Sequence, residues 1–236
     1  MTKIITDVSL LNNIELKFID MHHHSTCSDG SSTPQQIYNA SKKKKIGICI
    51  TDHNQIKGSL FLYKKGLFTV PSIEITSAES TDLLLYFYHP GELAEFYEKV
   101  IKNNIRNNFY FNFNKTNIPL PELLDRINDY NCLKILAHPY AVGPKNSSLL
   151  VRNKKIMDQL DGIESHNESI LRFKETMDLI GSIKKPLIAG TDSHTLSDFS
   201  CLTGAFCQER DNFIDEVFKN RNIIFYQKGK LAHRCI

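Results

Sequence analysis

Histidines and carboxylates recur along this 236-residue chain at the ends of short apolar runs. They are His22, His24 and Asp29, then His53, Glu74 and His138, and finally Asp192 and His194. Imidazole nitrogens and carboxylate oxygens are the donors that divalent transition ions take, so the chemistry this set offers is a centre of several metals. In an extended strand alternate side chains share a face, which puts Asp20, His22 and His24 on one side and His23 on the other. His22 and His24 then form a chelating pair, and Asp192 and His194 repeat the spacing. Asp29 precedes Gly30 in a Ser/Thr-rich loop, which alone is ordinary turn chemistry. His53 follows Asp52 at a strand end, where the adjacent carboxylate can orient it. Glu74 stands inside the apolar run SIEIT, where a charge needs a partner or a metal. His138, between ILA and Pro139, has the same look.

The elements that must position these residues follow one rhythm: apolar strand, polar loop, helix. KFIDM leads into HHHSTCSDGS, and Thr33-Pro34 opens a helix as N-cap and first helical residue, ending in Lys42–Lys45. That lysine run reads as a solvated helix end where cations suit the dipole. IGICI leads to Thr51-Asp52-His53-Asn54. TVPSIEIT and DLLLYFYH are two runs of strand composition separated by SAES, either a hairpin or consecutive strands. Helices are expected over Glu92–Asn104, Pro121–Tyr130, a stretch ending near Leu160, Glu168–Ser182 and Asn212–Asn220, and strands over LKILA, DGIES, PLIAG, Leu202–Phe206 and IIFY. Arg106–Pro119, rich in Asn and aromatics, has no period and reads as an irregular excursion. Its aromatics (Phe109, Tyr110, Phe111, Phe113) suit either core packing or base stacking. About seven strand–helix units imply a parallel α/β architecture. A barrel gathers the strand C-termini on one face, whereas an open sheet would leave the outer ligands too far apart.

The composition, 41% apolar and 23% charged, is that of a globular domain, and a net charge of +3 demands neither a nucleic acid nor an acidic membrane partner. None of the six cysteines forms a CxxC pair, and several lie in apolar runs as buried free thiols do. No signal peptide or membrane-spanning stretch is expected, which points to a reducing, cytoplasmic setting. The chain reads as one domain, 1–236, with motifs spanning 20–194 and no protein partner evident.

Taken together, five stretches in order resemble the PHP (polymerase and histidinol phosphatase) family: DMHHHSTCSDGSSTP, ITDHN, SIEIT, ILAHP and GTDSH. The resemblance implies a distorted seven-stranded β/α (TIM-like) barrel of PHP type. Its mouth would hold two or three divalent ions (Mn, Zn or Fe) on His22, His24, Asp29, His53, Glu74, Asp82, His138, Asp192 and His194. Members similar to this chain often carry His where Asp82 stands, so Asp82 is either a substitute ligand or the mark of a weakened position. His89 is then either a compensating ligand or a surface residue. The implied activity is hydrolysis of a phosphomonoester or phosphodiester in a nucleotide, short oligonucleotide or small metabolite, with a metal-bridging hydroxide as nucleophile. Asp192 belongs to the catalytic set, and His194 or His166 would protonate the leaving group. His166 is read as an extra ligand, a substrate contact or an ordinary strand-end residue, Lys145 as a phosphate contact or a solvated loop lysine, and His233 as uninvolved. Two competing readings are an amidohydrolase-type metal hydrolase, disfavoured for want of a carbamylated-lysine position, and a non-catalytic metal-stabilised module.

Overall fold

The computed structural model describes residues 3–5, 16–106, 115–141, 147–167, 184–196 and 199–227, the side chain of Asp211 excepted. Lys145, His233, Cys235, the aromatics Phe109–Phe113, the Gly143-Pro144 loop and the helix expected over Glu168–Ser182 lie outside the described residues. The strands are β1 (Lys3–Ile5), β2 (Leu16–His23), β3 (Gly47–Ile50), β4 (Ser72–Thr76), β5 (Asp82–Phe87), β6 (Ile105–Arg106), β7 (Lys115–Thr116), β8 (Cys132–Leu136), β9 (Gly162–His166), β10 (Leu187–Ala189), β11 (Cys201–Phe206) and β12 (Ile223–Tyr226). The α-helices are α1 (Pro34–Lys44), α2 (Lys57–Lys64), α3 (Pro90–Phe96), α4 (Leu120–Ile127), α5 (Ser148–Val151), α6 (Lys154–Met157) and α7 (Arg210–Phe218), and α3 continues as a π-helical turn over Tyr97–Ile101 and a 3-10 turn over Lys102–Asn104.

The local chemistry accounts for most of these. Thr33 caps α1 in a reciprocal box with Gln36, Pro34 occupies the first turn, and Lys45 ends the helix in a left-handed conformation (φ 57°). In α4 the buried Leu120, Leu123, Leu124 and Ile127 recur at helical spacing on one face. Helix α2 (KGSLFLYK) is not legible in the sequence, because Gly, Ser and aromatic residues favour a helix only weakly. It forms because Leu62 packs into a cluster with Ile37, Ile48 and Ile50.

Two five-stranded mixed sheets result, β1-β12-β11-β2-β3 and β10-β9-β8-β5-β4, with a small β6-β7 ribbon beside them. The expectation of a parallel sheet is corrected at β11, which runs antiparallel to both β12 and β2, and at β5, which runs antiparallel to both β4 and β8. At β5 the physical reason is loop length. The segment 77–81 closes by a Ser77 N–H bond to the Thr81 carbonyl, with Ser80 left-handed (φ 66°). A parallel partner would need a crossover of about a dozen residues or more.

Among the described residues the ladders do not close into one ring. Where the sheets meet, side-chain hydroxyls take backbone groups that a ladder would otherwise pair. Ser72 Oγ donates to the Ile50 carbonyl at 3.1 Å, and Thr203 Oγ1 accepts from Ala189 N at 2.8 Å. Isolated parallel bridges, His53 to Glu74 and His23 to Ser193, tie the sheets together at the ligand-bearing ends.

The continuous apolar run of β5 is explained by burial on both faces. Leu83, Leu85 and Phe87 pack with Leu93, Phe96, Leu123 and Ile127 on one side, and Leu84 and Tyr86 with Met21, Ile135 and Ile188 on the other. Each such side chain contributes roughly 1.5–3 kcal/mol.

Candidate metal centre

Nine side chains from seven segments arrive at one end of the two sheets. β2 and its continuation supply His22 and His24, the following loop Asp29, the end of β3 His53, β4 Glu74, the end of β8 His138, and the end of β10 Asp192 and His194. Asp82 comes from the opposite direction. Because β5 is antiparallel, its first residue, paired with Thr76 at the end of β4, lies at the same face as the other strand ends. The same reversal sends His89 to the far end, where its Nδ1 accepts from Gly91 N and caps α3. His89 is thus a helix cap.

The alternation expected along β2 is broken by a bulge between Asp20 and His23. Asp20 therefore leaves the His22–His24 set and lies with His23. Its carboxylate accepts from Thr191 N (2.8 Å) and Thr191 Oγ1 (2.7 Å), with His23 Nδ1 at 3.4 Å. Two glycines let the ligand segments approach this closely. A Cβ on Gly190 would lie 2.3 Å from His22 N, and one on Gly30 2.6 Å from the His24 carbonyl. Two candidate ligands sit in the left-handed region, Asp192 (φ 52°) and His138 (φ 24°). Such backbone costs about 1–3 kcal/mol per residue and tends to gather at functional sites.

The donor atoms form four overlapping groups, each within 4.8 Å: His24–Asp29–His53–His194, His22–His24–Glu74, His22–His138–Asp192 and His53–Glu74–Asp82. The chemistry of the contacts fits a cation. His22 Nδ1 is 2.9 Å from Glu164 Oε1, an acceptor, so the ring carries its proton there. The lone pair on Nε2 then faces Asp192 Oδ1 at 3.2 Å and Glu74 Oε1 at 3.4 Å. His194 repeats the pattern: Nδ1 is held by the Asp192 carbonyl at 3.0 Å, leaving Nε2 towards Asp29 Oδ2 at 3.1 Å. Acceptors facing acceptors at these distances need a proton or a metal ion between them.

With protons in that role the titration is strongly displaced. Burial alone would lower the pKa of His22, but Glu164, Asp192 and Glu74 outweigh it and raise it well above 6.5. Burial likewise opposes, and the carboxylates Asp192, Asp29 and Glu74 override, at His24. Burial would raise Glu74, yet His53, His22 and His138 hold it well below the carboxylate range. Asp29 is lowered against its burial by His194 and His24. His194 is 37% exposed, whereas the side chains of Glu74 and His138 are fully buried, so the centre opens past His194.

A supporting layer was missed by the sequence reading. Glu164 grips two ligand segments at once, His22 through Oε1 and the His138 backbone N–H through Oε2 (2.8 Å). Its signal was present, a lone charge in the apolar strand GIESH, as with Glu74 in SIEIT. Asp52, expected to orient His53, accepts from Ser25 N, Ser25 Oγ and Ser28 Oγ at 2.7–2.8 Å and so fixes the loop that carries Asp29, while His53 Nδ1 faces Thr76 and Glu74.

His166 is in none of the four donor groups. Its ring stacks on Tyr226 (5.0 Å between centroids), and burial lowers its pKa to about 4. The next residue, Asn167, turns inward instead, towards Glu164 and Asp192. The bulge between Ile188 and Ala189, where β10 pairs with β9, accompanies this change of face.

A family model described as "PHP domain" matches residues 20–210. No curated protein sequence matches the chain. Among solved structures, the lesion-specific endonuclease PfuEndoQ from Pyrococcus furiosus is similar at a TM-score of 0.66 and 17% identity, over 89% of this chain and 57% of that one. Endonuclease Q in complex with a 27-mer duplex, an abasic lesion at its active site, gives 0.64 and 17%, over 86% and 56%. A protein from Bifidobacterium adolescentis assigned to the metal-dependent phosphoesterases gives 0.56 and 13%, over 86% and 96%. An amidohydrolase from Chromobacterium violaceum with bound sulfate gives 0.58 and 15%, over 86% and 96%. At these identities the likeness is one of fold.

Proposed function

The chain belongs to the PHP domain family, and on that premise we propose that it hydrolyses a phosphate ester of a nucleotide, short oligonucleotide or small metabolite at a centre of two or three divalent ions. The observation that carries this reading is the overlap of four donor groups at one end of the sheets, with acceptor atoms facing one another. The proposed ligands are His22, His24, Asp29, His53, Glu74, Asp82, His138, Asp192 and His194, taking Mn, Zn or Fe. Four of these are carboxylates, so two divalent ions would be neutralised and three would leave a site suited to a phosphate anion. When bound, such ions activate water and polarise phosphoryl oxygens.

The chain's own residues do the rest. Asp192 holds the Nδ1–H of His194 through its carbonyl and turns its carboxylate between His22 and His24. Nε2 of His194, beside solvent and held by Asp29, would be a ligand when an ion occupies the mouth, and would pass a proton to the leaving oxygen when that position is empty. Lys145, by its place in the sequence shortly after His138, is the proposed phosphate contact.

The fold is read as one domain built on the family's distorted barrel. The bridges His53–Glu74 and His23–Ser193 support this by linking β2, β3, β4, β5, β8, β9 and β10 end to end. Fold likeness alone does not choose between phosphoesterase and amidohydrolase. Against the latter, no lysine is buried among the described residues. The cysteines among the described residues are free thiols, three of them buried, which suits a reducing cytoplasm.

The test is to measure bound metal and then assay an aryl phosphomonoester, a diester and a 3′,5′-bisphosphonucleotide. Turnover lost in His22→Ala and Asp192→Ala supports the reading. No turnover of any ester at full metal occupancy overturns it.

A further inference from the structure

The donors of the centre change character from its mouth to its interior, and we infer that the two ends select different metal ions. This rests on the metal-binding reading above. At the mouth, three imidazoles and one carboxylate converge: His24, His53, His194 and Asp29. The groups His22–His24–Glu74 and His22–His138–Asp192 each bring two imidazoles to one carboxylate, and only around Asp82 does the balance reverse, with Glu74 and Asp82 beside His53. His138 Nε2 is also within reach, 3.2 Å from Glu74 Oε1 and 3.6 Å from Asp82 Oδ2.

His53 links the two ends. Its Nδ1 faces Thr76 Oγ1 (3.0 Å) and Glu74 Oε2 (3.1 Å), while Nε2 points to Asp29 (3.9 Å). A ring that ligates at the mouth through Nε2 keeps its Nδ1 proton for Thr76 or Glu74. The interior position is then left with Glu74, Asp82 and His138, two oxygens to one nitrogen. Both interior carboxylates are buried, Glu74 wholly and Asp82 to within 2%.

Imidazole-rich sites suit Zn and Fe, and carboxylate-rich sites suit Mn and Mg. Zn binds almost any nitrogen and oxygen site more tightly than Mn does, so the difference shows in the ratio of affinities. The interior position discriminates least against Mn, and Asp82 is the residue that makes it so. The centre therefore holds a hard, oxygen-seeking ion inside and a borderline ion, Zn or Fe, at the mouth.

The experiment is a competition. Chelator-stripped protein is loaded with Mn²⁺, equilibrated with rising Zn²⁺ and desalted, and both metals are counted by elemental analysis, with bound Mn²⁺ followed by electron paramagnetic resonance. Wild type is expected to lose Mn in two steps, the second at roughly tenfold or more higher Zn. Asp82→His should merge the steps, and His194→Ala should remove the first and leave the second. Asp82→Asn, nearly isosteric, serves if the histidine variant does not fold, and should lose the retained Mn while still taking Zn at the mouth. A single step in wild type, or two unchanged steps in both Asp82 variants, overturns the inference. Binding of neither metal overturns the metal reading with it. Two steps without turnover of any ester leave the inference standing and sink the phosphoesterase assignment alone.

Discussion

Glu164 accepts the Nδ1 proton of His22 at 2.9 Å, deep in the protein and 142 residues away in the chain. That bond selects the tautomer in which Nε2 of His22 presents its lone pair to the centre. The other oxygen of Glu164 takes the backbone N–H of His138, so one carboxylate sets two ligand segments.

Replacing Glu164 by Gln should therefore weaken metal binding by roughly 10–100-fold without removing a ligand. The amide can still accept at one side, but its NH₂ opposes a second donor. Isothermal titration with Mn²⁺ and Zn²⁺ checks this. An affinity equal to wild type in a folded variant would contradict the role given to Glu164.

Gly190→Ala should damage the centre from behind, because the new methyl would lie 2.3 Å from His22 N and 2.5 Å from its Cβ. Backbone cannot yield there as a flexible side chain would. The expected loss is about 1–3 kcal/mol or more, the range for overpacking. Chemical denaturation measures that loss, and metal content should drop in parallel.

The metal-free protein should respond to pH in a direction opposite to the loaded one. His22, His24 and His138 have raised values, each against its burial, through the surrounding carboxylates. Their stabilising contribution is complete below 6.5, the ordinary histidine value, and is lost as pH rises through the raised folded values. Glu74, lowered by His53, His22 and His138, contributes above 4.5 and loses this as pH falls. Without metal, then, the thermal midpoint should decline as pH rises above the histidine range. Bound metal requires these rings deprotonated, so apparent affinity and the loaded midpoint should rise with pH over the same interval. Thermal scans with and without chelator decide it.

His166 gives the opposite sign. Burial lowers its pKa from 6.5 to about 4, so its contribution is present above 6.5 and is lost as pH falls through 4. His166→Phe keeps a ring against Tyr226 and removes the titration. Its stability relative to wild type should improve by up to about 3 kcal/mol between pH 7 and pH 4. A difference that stays flat over that range would place the His166 ring in solvent.

Much of the centre was legible in the chain because ligand chemistry is local. His22 and His24, two apart on a strand, share a face whatever the rest of the fold does, and Glu74 in SIEIT announces a buried charge by its neighbours alone. The α1 cap, the existence of α4 and that of most strands were readable for the same reason: each rests on residues a few positions apart.

What the sequence determined by itself is the list of donors and the order in which they arrive. The tertiary structure decided which of them meet. Asp82 reaches the centre because a five-residue connection turns β5 antiparallel, and His89 is carried to the far end by the same reversal. The bulge in β2 moves Asp20 from the metal side to Thr191, and His166 faces Tyr226 while Asn167 turns to the site. Strand direction, bulges and the closeness of Gly190 to His22 depend on pairing between residues far apart in the chain, and no local pattern encodes that.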